Sequence, residues 1–209
     1  MRAENFFTEA EQERIHQAVI DAEAKTSGEI VPVLVTSSAR YTEIELFGVV
    51  TGLFLGMLLG WLWHDPWESY RLNLWPVIGA TFGFLSARIP AVKRRLVAKS
   101  RIAEAVNDRC MAAFTEHGLH YTRDHTGILI FVSLLEHQVE VLADRGINEK
   151  VEPGTWDEIV KTLTAGLKSG HACDAFCKAI DRCSEILAAH FPRQEDDRDE
   201  LPNTLVTGE

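Results

Sequence analysis

Two hydrophobic runs joined by a short aromatic stretch stand out from a chain whose other apolar residues are periodic. Leu46 to Trp63 passes eighteen residues without a charge. At about 1.5 Å per residue, a helix of that length nearly crosses a hydrocarbon layer of about 30 Å. Leu72 to Ala87 forms the second run, and Arg88 reaching back to the headgroups lets it continue through Ile89. Trp61, Trp63, Trp67, Tyr70 and Trp75 gather around the connecting loop at His64 to Arg71, where an interfacial aromatic belt belongs. The pattern predicts a transmembrane helical hairpin over residues 46–89. The alternative, a hairpin buried in a soluble core, calls for a polar stripe that neither run has.

Gly48, Gly52, Gly56 and Gly60 recur every fourth residue in the first run, and Gly79 with Gly83 repeats the step in the second. Such stripes let helix backbones approach closely. They serve either to pack the two spans on each other or to meet a membrane-protein partner or a second copy in a homo-oligomer.

Outside the hairpin the periodicity is that of a small α/β domain. Thr8 with Glu11 forms a capping box, and Ile15, Val19 and Ala22 give the buried face of a helix running to about Lys25. Glu29 to Thr36 reads as a buried strand, with Pro32 placing it at an edge or giving it an irregular start. Val92, Leu96, Ala103, Val106, Cys110 and Phe114 predict one long amphipathic helix from Ala91 to about His117, stopped by Gly118. Gly127–Ser133 is a continuous apolar strand and Gln138–Ala143 alternates, so the two predict a hairpin turning at Leu135, Glu136 and His137. Thr155 with Glu158 marks another capping box, before a helix burying Trp156, Ile159, Val160, Leu163 and Leu167 and ending at Gly170. Phe176, Cys177, Ile180 and Leu187 define a last helix to about His190. Phe191 to Glu209 reads as loop or acidic tail. The expected organisation is 1–45 as the first part of the domain, 46–89 as the hairpin, 90–192 as the remainder and 193–209 as the tail.

Charge fixes the expected orientation. The formal net charge is −10, yet Arg88, Lys93, Arg94, Arg95, Lys99 and Arg101 follow the second span with no acid among them. The loop between the spans has only Arg71 against Asp65 and Glu68. The basic side stays inside, so a multi-pass protein of a bacterial inner membrane with both termini cytoplasmic is expected. No stretch near the start has the pattern of a secretory signal. The acidic globular part disfavours nucleic acid as a partner; the bilayer is the expected one, with the basic collar at anionic headgroups. Four cysteines in a reducing compartment are assigned no disulfide.

Carboxylates supply the candidate chemistry. Asp144, ending a predicted strand, and Asp196, Asp197 and Asp199, with Glu200, in the final loop could converge on calcium or magnesium, which need several oxygen ligands; Asp124 could join them. Alternatively Asp144 caps the Arg145-Gly146 turn and the acidic run is solvated, since no EF-hand spacing is present. His171, Cys173, Cys177 and Cys183 suggest zinc, but Cys183 lies about 240° around the helix from Cys177 at 100° per residue, so buried structural thiols are expected. His117, His120 and His125 lack a metalloprotease spacing and read as surface histidines. Ser133 ends a strand with no base partner assignable from sequence, and no nucleophile elbow, phosphate loop or CxxC motif occurs.

The stretches FTEAEQERIHQAVIDAEAKTSGEIVPVLV, GILIFVSLLEHQVEVLADRGI, WDEIVKTLTAGLKSG and FPRQEDDRDELPN resemble the TPM domain, specifically its bacterial membrane-anchored branch, over about residues 6–36 and 116–203. The resemblance implies a three-layer α/β/α sandwich with a small mixed sheet, here interrupted by the inserted hairpin. TPM relatives are described as photosystem assembly or repair factors, receptor-associated proteins and a phosphatase, and some bind calcium. The leading expectation is a binding or assembly module at the cytoplasmic membrane face; the alternative is a divalent-metal-dependent phosphatase.

Overall fold

The computed structural model describes residues 2–63, 74–194 and 200–208, so the connecting loop at His64 to Arg71 and the carboxylates of Asp196, Asp197 and Asp199 lie outside the described residues. The chain divides into two compact units, one of residues 1–38 and 104–209, the other of residues 39–103.

The first unit is built on a mixed four-stranded sheet. Its strands are β1 (Glu29–Val35), β2 (Gly127–Ser133), β3 (Gln138–Ala143) and β4 (Val206–Gly208), in the order β3-β2-β1-β4. β1 runs parallel to β2 and to β4, while β2 and β3 form the expected antiparallel hairpin. Every residue of β1 and β2 is buried, as continuous apolar runs require when both sheet faces are covered. Ile30, Leu34, Ile128, Ile130 and Val132 share one face and one core with Ile15 and Val19 of α1 (Glu9–Glu23), Ile159 and Leu163 of α7 (Asp157–Ser169) and Phe176, Ile180 and Leu187 of α8 (Ala172–His190). Val31, Val33, Leu129 and Phe131 fill the other face and are also buried. There Cys110, from α5 (Lys99–Glu116), meets Glu140 of β3.

Several sequence expectations carry over unchanged. Thr8 accepts from the Glu11 amide while the Glu11 carboxylate accepts from the Thr8 amide, completing the first capping box. Gly118 and Gly170 hold φ of +73° and +78° and end helices as read from the sequence.

Others are corrected. β1 is not an edge strand along its whole length, since from Val33 onward it has β4 as well as β2 beside it. At Pro32 it has β2 alone, so the expected open edge holds there and the missing donor falls where no acceptor is needed. The Glu29 amide donates to Thr126 O on the β2 side, so the even-numbered amides face the other way: that of Ile30 donates to the Glu23 carboxylate at 2.9 Å and that of Thr36 to Gly208 O at 3.0 Å. β4 pairs only from Val33 onward, leaving Pro32 on the open stretch. The supposed loop or tail thus supplies the fourth strand. Thr155 and Glu158 form no capping box: α7 begins after Trp156, Thr155 donates to Glu152 O, and Glu158 lies 3.9 Å from Arg182. The single long helix is two, α4 (Pro90–Leu96) and α5, parted at Val97, whose backbone is extended with ψ 134°. No glycine or proline marks that break, so the apolar periodicity runs through it.

In the second unit, α2 (Thr42–Leu62) and α3 (Trp75–Ala87) pack antiparallel through the glycine stripe. Gly48 faces Gly83, Gly52 faces Gly79 and Gly56 faces Trp75, each pair moving up one helix and down the other. The stripe is therefore used within this chain. α2 alone among the described helices is long and apolar enough to cross a membrane. At 21 residues it spans about 31 Å, against about 20 Å for the 13 residues of α3. The second span stops short of Ile89 because Pro90 forces that residue into an extended conformation, φ −67° and ψ 124°. Of the two expected spans, only α2 among the described helices has the length to cross by itself.

Candidate functional site

Of the sequence candidates, Asp124 and Asp144 lie at the end of the sheet where β1 and β2 begin and β3 finishes. The ladder there continues one step past β3, with the Asp144 amide donating to Gly127 O at 2.9 Å. Asp144 then caps α6 (Arg145–Asn148), its Oδ1 accepting from the Arg145 amide at 2.6 Å. Its other oxygen lies 3.1 Å from His125 Nδ1, and His125 Nε2 lies 2.9 Å from Arg145 Nη2. A guanidinium only donates, so Nε2 accepts and Nδ1 carries the proton that His125 gives Asp144. This arrangement places His125 between the Asp144 carboxylate and the Arg145 guanidinium.

The loop carrying His125 is fixed from below. Thr122 and Thr126 are buried; the Thr126 amide donates to Thr122 Oγ1 and the Thr126 hydroxyl to Ser27 O, both at 3.1 Å. His125 itself sits at φ +55°, a left-handed conformation that costs a non-glycine residue and persists only where its surroundings enforce it. Gly146 presses against the loop so closely that a Cβ there would fall 2.5 Å from Asp124 O and 2.7 Å from His125 O.

The end of the chain docks beside this cluster. The Arg123 amide donates to Glu200 Oε2 at 3.0 Å and its guanidinium to Gln194 Oε1 at 3.2 Å. The Glu200 amide donates to Glu29 Oε1 at 3.1 Å, and Arg193 donates to Glu23 O at 3.2 Å. Glu23 and Glu29 are buried. Both flanks of the acidic run are thus held two residues along the loop from His125, itself in contact with Asp144.

Of the candidate metal ligands, Asp144 is described and occupied as a helix cap, while Asp196, Asp197 and Asp199 lie outside the described residues. Asp124 turns to Arg123, 3.7 Å away. Among the described residues no group of three or more histidines, cysteines or acids is placed to hold an ion. The described donors therefore do not make a site by themselves. Each Asp144 oxygen still keeps lone-pair capacity for a further contact.

The remaining candidates resolve as structure. Cys110, Cys173 and Cys183 are buried free thiols and Cys177 is half-buried. Burial pushes Cys173 up to about 11 and Cys183 up to about 12, so both stay protonated and pack α8, with Cys173 3.7 Å from Glu11 O of α1. Burial likewise lowers the pKa of His117, and His117, His120 and His125 are each half-buried. Ser133 does have an acidic neighbour: its hydroxyl donates to Glu136, whose other oxygen accepts from the Ser38 amide at 2.9 Å. Both residues are buried, and the contact closes the β2–β3 turn. From the sequence His125 reads only as a surface histidine and Glu136 only as a turn residue, and Arg123 does not stand out, because their partners Asp144, Ser133 and Glu200 are set by the folded chain.

The family model described as the TPM domain matches residues 93–186, a span that begins after α3 and leaves out the resemblance at residues 6–36. No curated protein matches the chain. Among solved structures, the NMR structure of the BA42 protein from the psychrophilic bacterium Bizionia argentinensis is similar at 23% identity, covering 99% of this chain and 97% of that one with a TM-score of 0.62. That likeness concerns the fold, and it agrees with the mixed sheet and its flanking helices, while residues 93–186 of this chain are similar to the TPM domain.

Proposed function

We propose that this protein is a membrane-anchored TPM-domain module that binds or assembles a partner at the cytoplasmic face of a bacterial inner membrane. The observation that carries the anchoring is the spacing of polar and aromatic levels along the α2–α3 pair. At one end Glu45, Lys93 and Arg88 form an ion cluster, with Lys93 Nζ 2.7 Å and Arg88 Nε 4.0 Å from the Glu45 carboxylate. At the other end Trp63 stacks on Trp75, ring centroids 5.8 Å apart. Eighteen residues separate Glu45 from Trp63, about 27 Å of helix, close to the hydrocarbon thickness.

Between those levels the small residues face inward while Phe54 and Phe82 stand 67% and 74% exposed. A soluble protein rarely leaves so broad an apolar surface uncovered. The antiparallel pairing returns the chain to the side it left, which supports both termini being cytoplasmic. Alkaline carbonate extraction of cell membranes tests the anchor, and a reporter at Glu209 tests the orientation. The protein should stay in the pellet and the reporter should be active inside; release into the supernatant refutes the anchor, and periplasmic activity at Glu209 refutes the topology.

A second reading, divalent-cation binding that would serve a metal-dependent phosphatase, is supported by the docking of Gln194 and Glu200 on Arg123. Asp144 with Asp196, Asp197 and Asp199 would hold calcium or magnesium, and like charges brought together gain from such an ion. The bound cation would stabilise phosphoryl charge. Calorimetric titration followed by an assay with a generic phosphate ester tests the two parts in turn.

A further inference from the structure

Six basic residues follow α3, and the structure sorts them into two groups. Lys93 is drawn inward onto Glu45 and Arg40 O, the Arg88 guanidinium lies over the Phe84 ring at 5.1 Å, and Arg101 comes within 3.9 Å of Glu43. Arg94, Arg95 and Lys99 are exposed and form no ion pair or hydrogen bond among the described residues. Beside them, Ile89 and Leu96 are each half exposed.

Resting on the anchoring proposed above, we infer that α4 and the start of α5 form a docking surface for anionic phospholipid headgroups. Arg94, Arg95 and Lys99 supply the charge; Ile89 and Leu96 supply apolar contact at the acyl boundary. The kink at Ile89–Pro90 ends α3 at the level of Glu45, where the apolar outer surface of the helix pair stops and headgroup phosphates begin. Exposed leucine and isoleucine interleaved with unpaired arginine is the composition of an interfacial helix. Anionic lipid fits better than an acidic protein because the same surface continues into the lipid-facing residues Leu46, Phe47 and Leu85, all exposed. A headgroup attraction of the usual size gives about fivefold preference per basic residue near the surface.

The test uses the full-length chain in nanodiscs of equimolar phosphatidylcholine and phosphatidylglycerol, transferred to detergent and weighed intact by mass spectrometry to identify retained lipid. The wild type should retain phosphatidylglycerol over phosphatidylcholine by at least about fivefold. R94Q/R95Q/K99Q should lose that preference, while R94K/R95K should keep it. Equal retention of both lipids by the wild type, or an unchanged preference in the glutamine variant, overturns the headgroup surface. Carbonate extraction of the same variants separates this from the anchor: both should stay in the pellet. Release of the wild type overturns the anchor and the surface together.

Discussion

Replacing Gly52 by alanine puts the α2–α3 packing to a direct test. A Cβ at Gly52 would fall 2.1 Å from Gly79 O and 2.8 Å from Gly79 C, and one at Gly79 would fall 2.1 Å from Gly52 O. Both obstacles are backbone, so no side-chain rotation relieves them. Ordinary contact begins near 3.4 Å, which requires the helices to separate locally by about 1.3 Å. A gap of that order forfeits a quarter to a half or more of each dispersion contact along the seam, including those at Gly48–Gly83 and Gly56–Trp75. The expected destabilisation is about 1 to 3 kcal/mol for alanine, and larger for Gly52→Leu. Gly79→Ala added to Gly52→Ala should cost less than the sum of the singles, because the first substitution has already opened the seam. The assay is thermal unfolding in detergent followed by tryptophan fluorescence, paired with cross-linking of cysteines introduced on facing positions of α2 and α3. Phe54→Leu, on the exposed surface, is the control and should change little. If Gly52→Ala unfolds at the wild-type temperature and cross-links as well as wild type, these glycines do not form the contact described.

Further predictions concern the other unit. Asp144→Asn should preserve the cap on α6, since asparagine caps as well as aspartate, but weaken any calcium or magnesium titration, as should Asp197→Asn; unchanged heats in both would remove the shared ion. Deleting residues 204–209 strips β4 from β1 and frees the Thr36 amide from Gly208, so the truncated protein should melt earlier and aggregate more readily through the bared edge; an unaltered melting curve would contradict this. Maleimide at neutral pH should label Cys177 well before Cys110, Cys173 and Cys183, with all four reacting after denaturation. Burial holds the His117 pKa below 6.5, so its contribution to stability is present above pH 6.5 and is lost as pH falls through the lower folded-state value. The His117→Gln variant should therefore show a flatter loss of melting temperature across that acid range.

The local signals in this chain were legible wherever a single element carried its own pattern. The capping box at Thr8, the apolar runs of Glu29–Val35 and Gly127–Ser133, the stops at Gly118 and Gly170 and the glycine repeat are each set by backbone geometry or burial within a few residues. The sequence also determined the α/β class and the family resemblance, because order and spacing of such elements survive as text. Tertiary structure decided what depends on residues far apart. β4 is too short to have a period of its own and exists because β1 presents unpaired groups to it. Pro32 is tolerated because β4 pairs only from Val33 onward, so no strand faces the donor that proline lacks. Thr155 and Glu158 match a capping box in sequence, yet the helix starts one residue beyond that register and Arg182 lies near the glutamate instead. The site follows the same division: Asp144 was visible as an acid ending a strand, whereas His125, Arg145 and Arg123 became its surroundings only when β2 and β3 paired and the end of the chain came to rest on the loop between them and α5. Hydrogen bonding across the sheet chooses those neighbours by register, and register is a property of the folded chain, not of any one stretch of it.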